Sequence, residues 1–388
     1  MLQQAKTALK RIKVSRHHSG SSGVTPISKL LWQGLPYYLN RRGFARNPLT
    51  VFISVNGRCN LRCRLCDIGN KTDVSQFHKN LAGETGQDFP IERLKTLLDE
   101  ISTFKPYIGV TTTEPLLYKP MWDAVRHAKS RGMEMNITTG GLTIDTHVDE
   151  ILDSGLHKIS VSIDGPPAIH NEMRAVPGAY ERIMKGLNQL IEKKKSKGLK
   201  YPYIYITTFV ADTNYQHLIE LMSGLPLDGI EHINIKMMLF LTKEVMNNHN
   251  SQFGEKYPAT VSCMPDDFFA DKIDLDILID QVREIEKRYK DKLTLHFEAD
   301  KSQIDRYLNS PTEFMDSTKC VFPWYLSQIT NEGDLITVTR CFNVKFGNIM
   351  EKPFSQVWNG QKFREFRMDL QKHGRFPGCS RCDGLVYR

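Results

Sequence analysis

The first 66 residues of this 388-residue chain contain no acidic side chain; twelve Lys or Arg precede Asp67, the first acid. The remainder holds 40 basic against 44 acidic residues, so the formal net charge of +8 sits at one end. That distribution predicts a local basic patch and argues against a general nucleic-acid binder, whose charge would spread over the folded body. Also missing is any run of the ~18 uninterrupted apolar residues that a membrane span needs. No charged region followed by an apolar run opens the chain, so a secretory signal is not expected. Eight cysteines are too few to form a disulfide scaffold in a chain of this length. Their clustering in two groups points instead to metal in a reducing compartment, the cytoplasm. Internal repeats and low-complexity tracts are absent, and 40% apolar with 25% charged residues excludes disordered and fibrous classes.

Within the basic head, Leu2, Ala5, Leu9 and Ile12 recur at helical spacing beside Lys6, Lys10 and Lys13. Three roles stay open for such a helix. It can be solvated or docked on the core, it can lie on an anionic membrane surface, or, with Ser19, Ser21 and Ser22 following, it can act as an organellar transit peptide. The apolar residues of Leu30–Trp32 and Pro36–Leu39 add to the surface reading.

From residue 51 short β-branched runs alternate with helical stretches. Strands are expected at Val51–Val55, Tyr107–Thr111, Glu134–Thr138, Lys158–Ile163, Tyr203–Phe209 and His232–Met237. Helices are expected at Ile91–Phe104, Met121–Arg131, Thr146–Ser154, Ala179–Lys194 and Tyr215–Ser223. Such alternation implies an α/β fold with parallel strands joined by right-handed crossovers, its site at the carboxyl ends of the strands. Beyond residue 240 the rhythm breaks. Leu241–Asp271 reads as a long loop, followed by a helix at Leu275–Tyr289 and a strand at Leu293–Glu298. A hairpin at Tyr325–Thr330 and Leu335–Arg340 and a helix at Phe354–Leu370 lead to the last cysteines. The expected organisation is therefore a basic extension (1–50), a core (51–240), a connecting region (241–310) and a C-terminal domain (311–388).

Cys59, Cys63 and Cys66 form C-x3-C-x2-C immediately after the first strand. Three thiolates on one loop can hold three irons of a four-iron cluster and leave the fourth iron open, as a catalytic metal site requires. Zinc fits less well, since it prefers four ligands from paired C-x2-C knuckles.

The segment Ser54–Cys66 resembles the cluster loop of the radical S-adenosylmethionine (SAM) superfamily. Thr112-Thr113-Glu114-Pro115 stands where that family has Gly-Gly-Glu-Pro, which holds the methionine amino group. Thr138-Thr139-Gly140 is similar to its Thr-Asn-Gly turn, and Ser162-Ile163-Asp164-Gly165 to its Ser-Ile-Asp-Gly strand end. His170 and Arg174 resemble a His-x3-Arg element whose arginine pairs with the methionine carboxylate. Two glycines are replaced by Thr112 and Thr113, the usual Asn by Thr139, and a common aromatic by Leu65. The resemblance implies a partial (β/α)6 barrel, a SAM site made of Leu65, Thr112, Thr113, Glu114, Thr139, Ser162, Asp164 and Arg174, and reductive cleavage of SAM to a 5′-deoxyadenosyl radical that abstracts hydrogen from a C–H bond. A one-electron donor such as flavodoxin or ferredoxin is implied with it.

Cys320, Cys341, Cys379 and Cys382 can ligate a second four-iron cluster or a zinc ion. Cys320-Val321-Phe322-Pro323-Trp324, Val357-Trp358-Asn359 and the closing Cys379-Ser380-Arg381-Cys382 resemble SPASM and twitch auxiliary-cluster domains; the shorter, twitch-like form is expected. A lone auxiliary cluster able to take up an electron suits oxidation of a small polar or carrier-linked substrate. Maturation of a ribosomally made peptide, by thioether or C–C cross-linking, is the second reading, and a non-catalytic electron-transfer protein the third. Substrate-side candidates are Lys236 and Met238 after the sixth strand and His296 and Glu298 on the seventh. Cys263 reads either as a plain thiol or, as in some radical SAM epimerases, as a hydrogen-atom donor.

Overall fold

The computed structural model describes residues 27–39, 42–70, 75–82, 86–263, 272–315, 319–337 and 342–382. The basic helix expected over Leu2–Ile12 and the ligand candidate Cys341 lie outside them.

Six strands follow the expected rhythm, β1 (Thr50–Ile53), β2 (Tyr107–Val110), β3 (Met135–Thr139), β4 (Lys158–Ser162), β5 (Tyr203–Val210) and β6 (His232–Met237), and the strand expected in the connecting region, β7 (Leu293–Leu295), extends the same sheet. Each pairs in parallel with the next in sequence. Consecutive parallel neighbours require a crossover after every strand, and helices supply it on one face while the other closes around the core. β4 is buried through Lys158–Val161, as expected for a strand covered on both faces. The result is the expected mixed α/β architecture, an incomplete barrel with its strand ends pointing one way.

The C-terminal hairpin joins this sheet. β8 (Leu326–Ile329) pairs in parallel with β1, and β9 (Leu335–Ile336) runs antiparallel to β8. The sheet order is β7-β6-β5-β4-β3-β2-β1-β8-β9. The strand that leads to Cys59 therefore lies between the core and the C-terminal region.

Two expectations change in detail. Leu241–Asp271, read as a loop, contains a helix at Lys243–Phe253 whose start is capped by Thr242 Oγ1 accepting from Val245 N at 3.3 Å. Asn247, Asn248 and Asn250 disguise it, because Asn competes with the helix backbone for hydrogen bonds. Here Asn250 is satisfied elsewhere, exchanging two 2.9 Å bonds with the backbone of Ala259. The single helix expected at Phe354–Leu370 is two, Phe354–Trp358 and Gln361–His373, broken at Asn359-Gly360. Asn359 there bonds back to Ala45 in both directions at 3.0 Å. Among the described residues, no helix is long and apolar enough to cross a membrane.

Candidate active site

β1 delivers the chain into the loop bearing Cys59, Cys63 and Cys66, all half-buried. The loop turns tightly, with Cys66 N donating to Cys63 O at 3.0 Å. It is held from one side by the helix Pro167–Arg174, whose final carbonyls accept from the loop: Arg62 N to Arg174 O at 3.2 Å, Arg64 N to Met173 O at 2.9 Å. From another side Arg64 makes a bidentate pair with Asp212 at 2.7 and 3.1 Å and bonds Thr213 at 2.9 Å. Asn70 Nδ2 donates to the carbonyls of Cys63 and Arg64, both at 3.1 Å. Local spacing does not announce Arg64, Asn70 or Asp212. Burial pushes the Cys59 thiol up to about 12, with Glu114 and Cys63 adding to the rise. A thiol so placed becomes a thiolate when a cationic metal centre takes it as ligand.

Glu114 follows β2 and is buried with its carboxylate fully engaged. Oε1 accepts from Thr139 Oγ1 at 2.7 Å and Leu116 N at 3.0 Å; Oε2 accepts from Gly140 N at 2.8 Å. Burial raises its pKa, against the pull of these bonds and of Arg174. Thr113 Oγ1 anchors to Asn56 O at 3.0 Å. Thr112 has φ +90°, a left-handed conformation in which the resembled family has glycine. Its hydroxyl compensates by bonding Ser54 Oγ at 2.7 Å, and Ser54 Oγ accepts from Gln328 on β8 at 3.1 Å.

Asp164, just beyond β4, is buried. Its carboxylate lies 2.5 Å from Arg174 Nη2 and accepts from Phe209 N at 3.3 Å. Burial pushes this carboxyl upward and Arg174 opposes it. Burial acts against the charge on Arg174, but Asp164 and Cys63 outweigh it and the guanidinium stays charged. Arg174 Nη1 also reaches Cys63 Sγ at 3.4 Å. His170 is wholly buried, and its Nδ1 accepts from Asp164 N at 3.2 Å. Ser162 ends β4 half-buried, and Leu65 packs against the core. Thus Glu114, Thr139, Asp164, Arg174 and the cysteine loop are joined by direct contacts.

The residues present fit an iron–sulfur cluster with a zwitterionic ligand. Asn60 Oδ1, His170 Nε2 and Arg174 Nε are buried polar atoms with no protein partner. Gly140 makes a cradle, since a Cβ there would lie 2.2 Å from Leu61 Cδ1 and 3.3 Å from Glu114 Oε2. Among the described residues no three His, Cys, Asp or Glu side chains form the ligand set of a single ion.

The other candidates are spread more widely. Lys236 is half-buried near the end of β6, opposite Phe209 in register. His296 is buried, Nε2 3.0 Å from Asn234 Oδ1, and Met238 O accepts from Tyr307 Oη at 2.6 Å. Glu298 is exposed and accepts from Gln303 at 2.8 Å. Cys263 is buried in an apolar cluster with Ile68, Phe77, Leu81 and Ile336, against which Cys59 and Cys66 pack. Its backbone N–H donates to Asp67, the residue after Cys66, at 2.9 Å.

Cys320, Cys379 and Cys382 line one hollow with Phe322, Leu326, Phe342 and Thr337. Thr337 and Phe342 flank the segment carrying Cys341 and both face this hollow. Burial pushes the Cys379 thiol well up, and Cys320 and Cys382 add to it. The Cys379 turn is steadied by His249, whose ring stacks on Phe342 and accepts from Gly378 N at 3.4 Å while its Nε2 donates to Tyr257 O at 2.6 Å. Nothing in the sequence distinguishes this histidine from any other.

A parallel α/β barrel with a three-cysteine loop at its strand ends and a second thiol group beside it defines an iron–sulfur SAM enzyme. Residues 53–223 match the Radical SAM superfamily and residues 320–383 match SPASM, an iron–sulfur cluster-binding domain. The chain therefore carries a radical SAM domain followed by a C-terminal SPASM domain, and it is an enzyme. Its similar proteins include the tungsten-containing aldehyde ferredoxin oxidoreductase cofactor-modifying protein of Pyrococcus furiosus, 22% identical over 86% of each chain. The Fe-coproporphyrin III synthase of Methanosarcina barkeri is 22% identical over 84% of this chain and 76% of its own. The fold matches SuiB of Streptococcus suis bound to S-adenosylmethionine, with TM-score 0.56, 15% identity, and coverage of 91% of this chain and 76% of that one.

Proposed function

We propose that this enzyme removes a hydrogen atom from a C–H bond of a small polar, carrier-linked or cofactor-like molecule and oxidises the resulting radical through its second cluster. One observation carries the reading. Ile336 at the end of β9 packs in the apolar cluster that touches Cys59 and Cys66, while Thr337, the next residue, lines the hollow of Cys320, Cys379 and Cys382. Neighbouring residues of one hairpin thus belong to the surroundings of both thiol groups, which supports passage of an electron from one to the other.

When bound, the first cluster and SAM supply a carbon radical strong enough to take hydrogen from an unactivated position. Cys59, Cys63 and Cys66 hold the cluster, Glu114 with Thr139 and Gly140 shapes the amino end of SAM, and Arg174 its carboxylate end. Asp164 orients Arg174, and Leu65, Thr112, Thr113 and Ser162 complete the walls. Cys320, Cys341, Cys379 and Cys382 hold the second cluster. The substrate loses one hydrogen atom, then one electron and one proton, so a base is needed. Lys236 is the first candidate, in register at the end of β6 with Phe209, whose backbone N–H bonds Asp164; as a base it would have to act as the neutral amine. Glu298 is the second candidate, at the solvent side. The apolar surroundings of Cys263 favour a packing role behind the loop over hydrogen-atom donation. A flavodoxin or ferredoxin would supply the first electron.

The names of the two relatives, a cofactor-modifying protein and a porphyrin synthase, support a cofactor-like substrate. Peptide modification is the second reading, supported by the likeness to SuiB, solved also with its precursor peptide SuiA. The test is anaerobic reconstitution with iron and sulfide, then SAM and dithionite with metalloporphyrins, small alcohols or peptides in turn. Substrate-dependent formation of 5′-deoxyadenosine with a two-electron-oxidised product is expected. A product of unchanged oxidation state would overturn the oxidative reading.

A further inference from the structure

In the helix Ile27–Leu39, apolar side chains point both toward the core and away from it. Tyr37 is buried edge-on against Trp324 at 4.9 Å, and Gln33 bonds inward to Asn47 O at 2.5 Å. On the other side Trp32 and Leu39, seven residues apart and so aligned on one face, are 56% and 76% exposed. Tyr38 at 73% and Phe44 at 39% flank them. Soluble helices usually keep polar residues on the face away from the core, and here Trp32, Tyr38 and Leu39 occupy such positions. Arginines frame the patch: the guanidinium of Arg46 lies 3.6 Å from the Trp32 ring centroid, and that of Arg364 lies 3.9 Å from the Phe44 ring centroid. Exposed aromatics beside arginine, in a stretch of 66 residues without one acid, match the boundary of an anionic bilayer.

We propose that the face formed by Trp32, Tyr38, Leu39 and Phe44 docks the enzyme on an anionic lipid surface. Trp32 and Leu39 enter the headgroup boundary, and the surrounding arginines meet lipid phosphates. Charge decides between occupants. The preceding residues 1–26 carry five basic residues and no acid, so they repel an arginine-framed patch, whereas lipid phosphate attracts both. An apolar stripe together with basic charge gives the two signals that stable surface binding needs.

The test uses the full-length holoenzyme with vesicles of mixed phosphatidylglycerol and phosphatidylcholine, and with phosphatidylcholine alone. Trp122, Trp324 and Trp358 are buried, so a change in tryptophan emission reports Trp32. Expected are sedimentation with anionic vesicles only, a blue shift of emission, and weakening by salt. The Trp32→Ala/Leu39→Ala pair should bind roughly tenfold or more weakly, with melting temperature and SAM cleavage unchanged because both side chains are exposed. Wild-type vesicle binding by that pair would assign the contact to the N-terminal residues alone and overturn the proposal. A lipid-free dimer with Trp32 shielded from quencher, or a monomer in which removing residues 1–26 newly exposes Trp32, would overturn it in favour of a second copy or of the chain's own segment.

Discussion

Arg174 joins Asp164 to Cys63: its Nη2 lies 2.5 Å from the Asp164 carboxylate and its Nη1 3.4 Å from the Cys63 sulfur. One guanidinium thus ties the end of β4 to the cysteine loop, and both of its anchors are themselves held in place. Asp164 is fixed by the backbone of Phe209, and Cys63 lies in a loop pinned by Arg64 and Asn70. Removing the cation leaves a buried carboxylate unpaired. Arg174→Met is expected to cost about 3–5 kcal/mol in stability. Arg174→Lys keeps the charge but loses the fork that spans two anchors. It should retain its iron while forming deoxyadenosine at least ~tenfold more slowly. Full-rate SAM cleavage by this variant would show that the bridge serves folding only.

Gly140 sets how closely the turn after β3, proposed to face SAM, approaches Leu61 and Glu114. A Cβ at Gly140 would lie 2.2 Å from Leu61 Cδ1, so in Gly140→Ala the buried Leu61 side chain must shift. Overpacking of this kind costs about 1–3 kcal/mol. SAM affinity, measured anaerobically by calorimetry, should fall much further than thermal stability does.

The two thiol groups predict separable iron. Loss of Cys59, Cys63 and Cys66 together should lower the iron content from about eight to about four per chain and abolish SAM cleavage. Replacing Cys379 and Cys382 should remove the other ~four irons and leave SAM cleavage under dithionite measurable. If the second change leaves iron untouched and releases zinc, the auxiliary site is a zinc site.

His170 makes acid stability informative. Burial, with Arg174 nearby, drives its pKa from 6.5 down to about 3. Between those values the unfolded chain binds a proton that the folded chain refuses, so stability rises with pH over that window. The neutral imidazole's contribution is complete above about pH 6.5 and lost progressively toward about pH 3. Denaturant titrations of wild type and His170→Asn should therefore converge as pH falls from 7 to ~4. A stability difference that stays constant with pH would mean that His170 is not held neutral.

Much of the site was legible because its signals are local. The cysteine spacing after β1, and Glu114, Thr139 and Asp164 at successive strand ends, need only strand periodicity and the rule that parallel sheets put function at their carboxyl edge. The parallel order of β1 to β6 followed from the same alternation, whereas β7, expected in the connecting region, was placed in that sheet by the tertiary structure. Local reading failed where side chains act at long range. Arg64 and Asp212 are 148 residues apart, and the pair that pins the cluster loop has no pattern along the chain. Thr112 looked like a simple replacement of glycine. Its φ of +90° and its link through Ser54 to Gln328 show it to be a strained position held by its own hydroxyl.

Residue spacing along the chain was enough to point to the chemistry: which thiols are candidates for iron, which strand ends are proposed to hold SAM, and that a second thiol group follows. Only the tertiary structure decided how the two groups relate. Pairing of β8 with β1 makes the C-terminal hairpin part of the core sheet and puts Ile336 in the apolar cluster against which Cys59 and Cys66 pack, while Thr337 lines the hollow of Cys320, Cys379 and Cys382. The choice of that edge strand is made by backbone hydrogen bonding and packing between segments over 270 residues apart, which residue spacing along the chain does not encode.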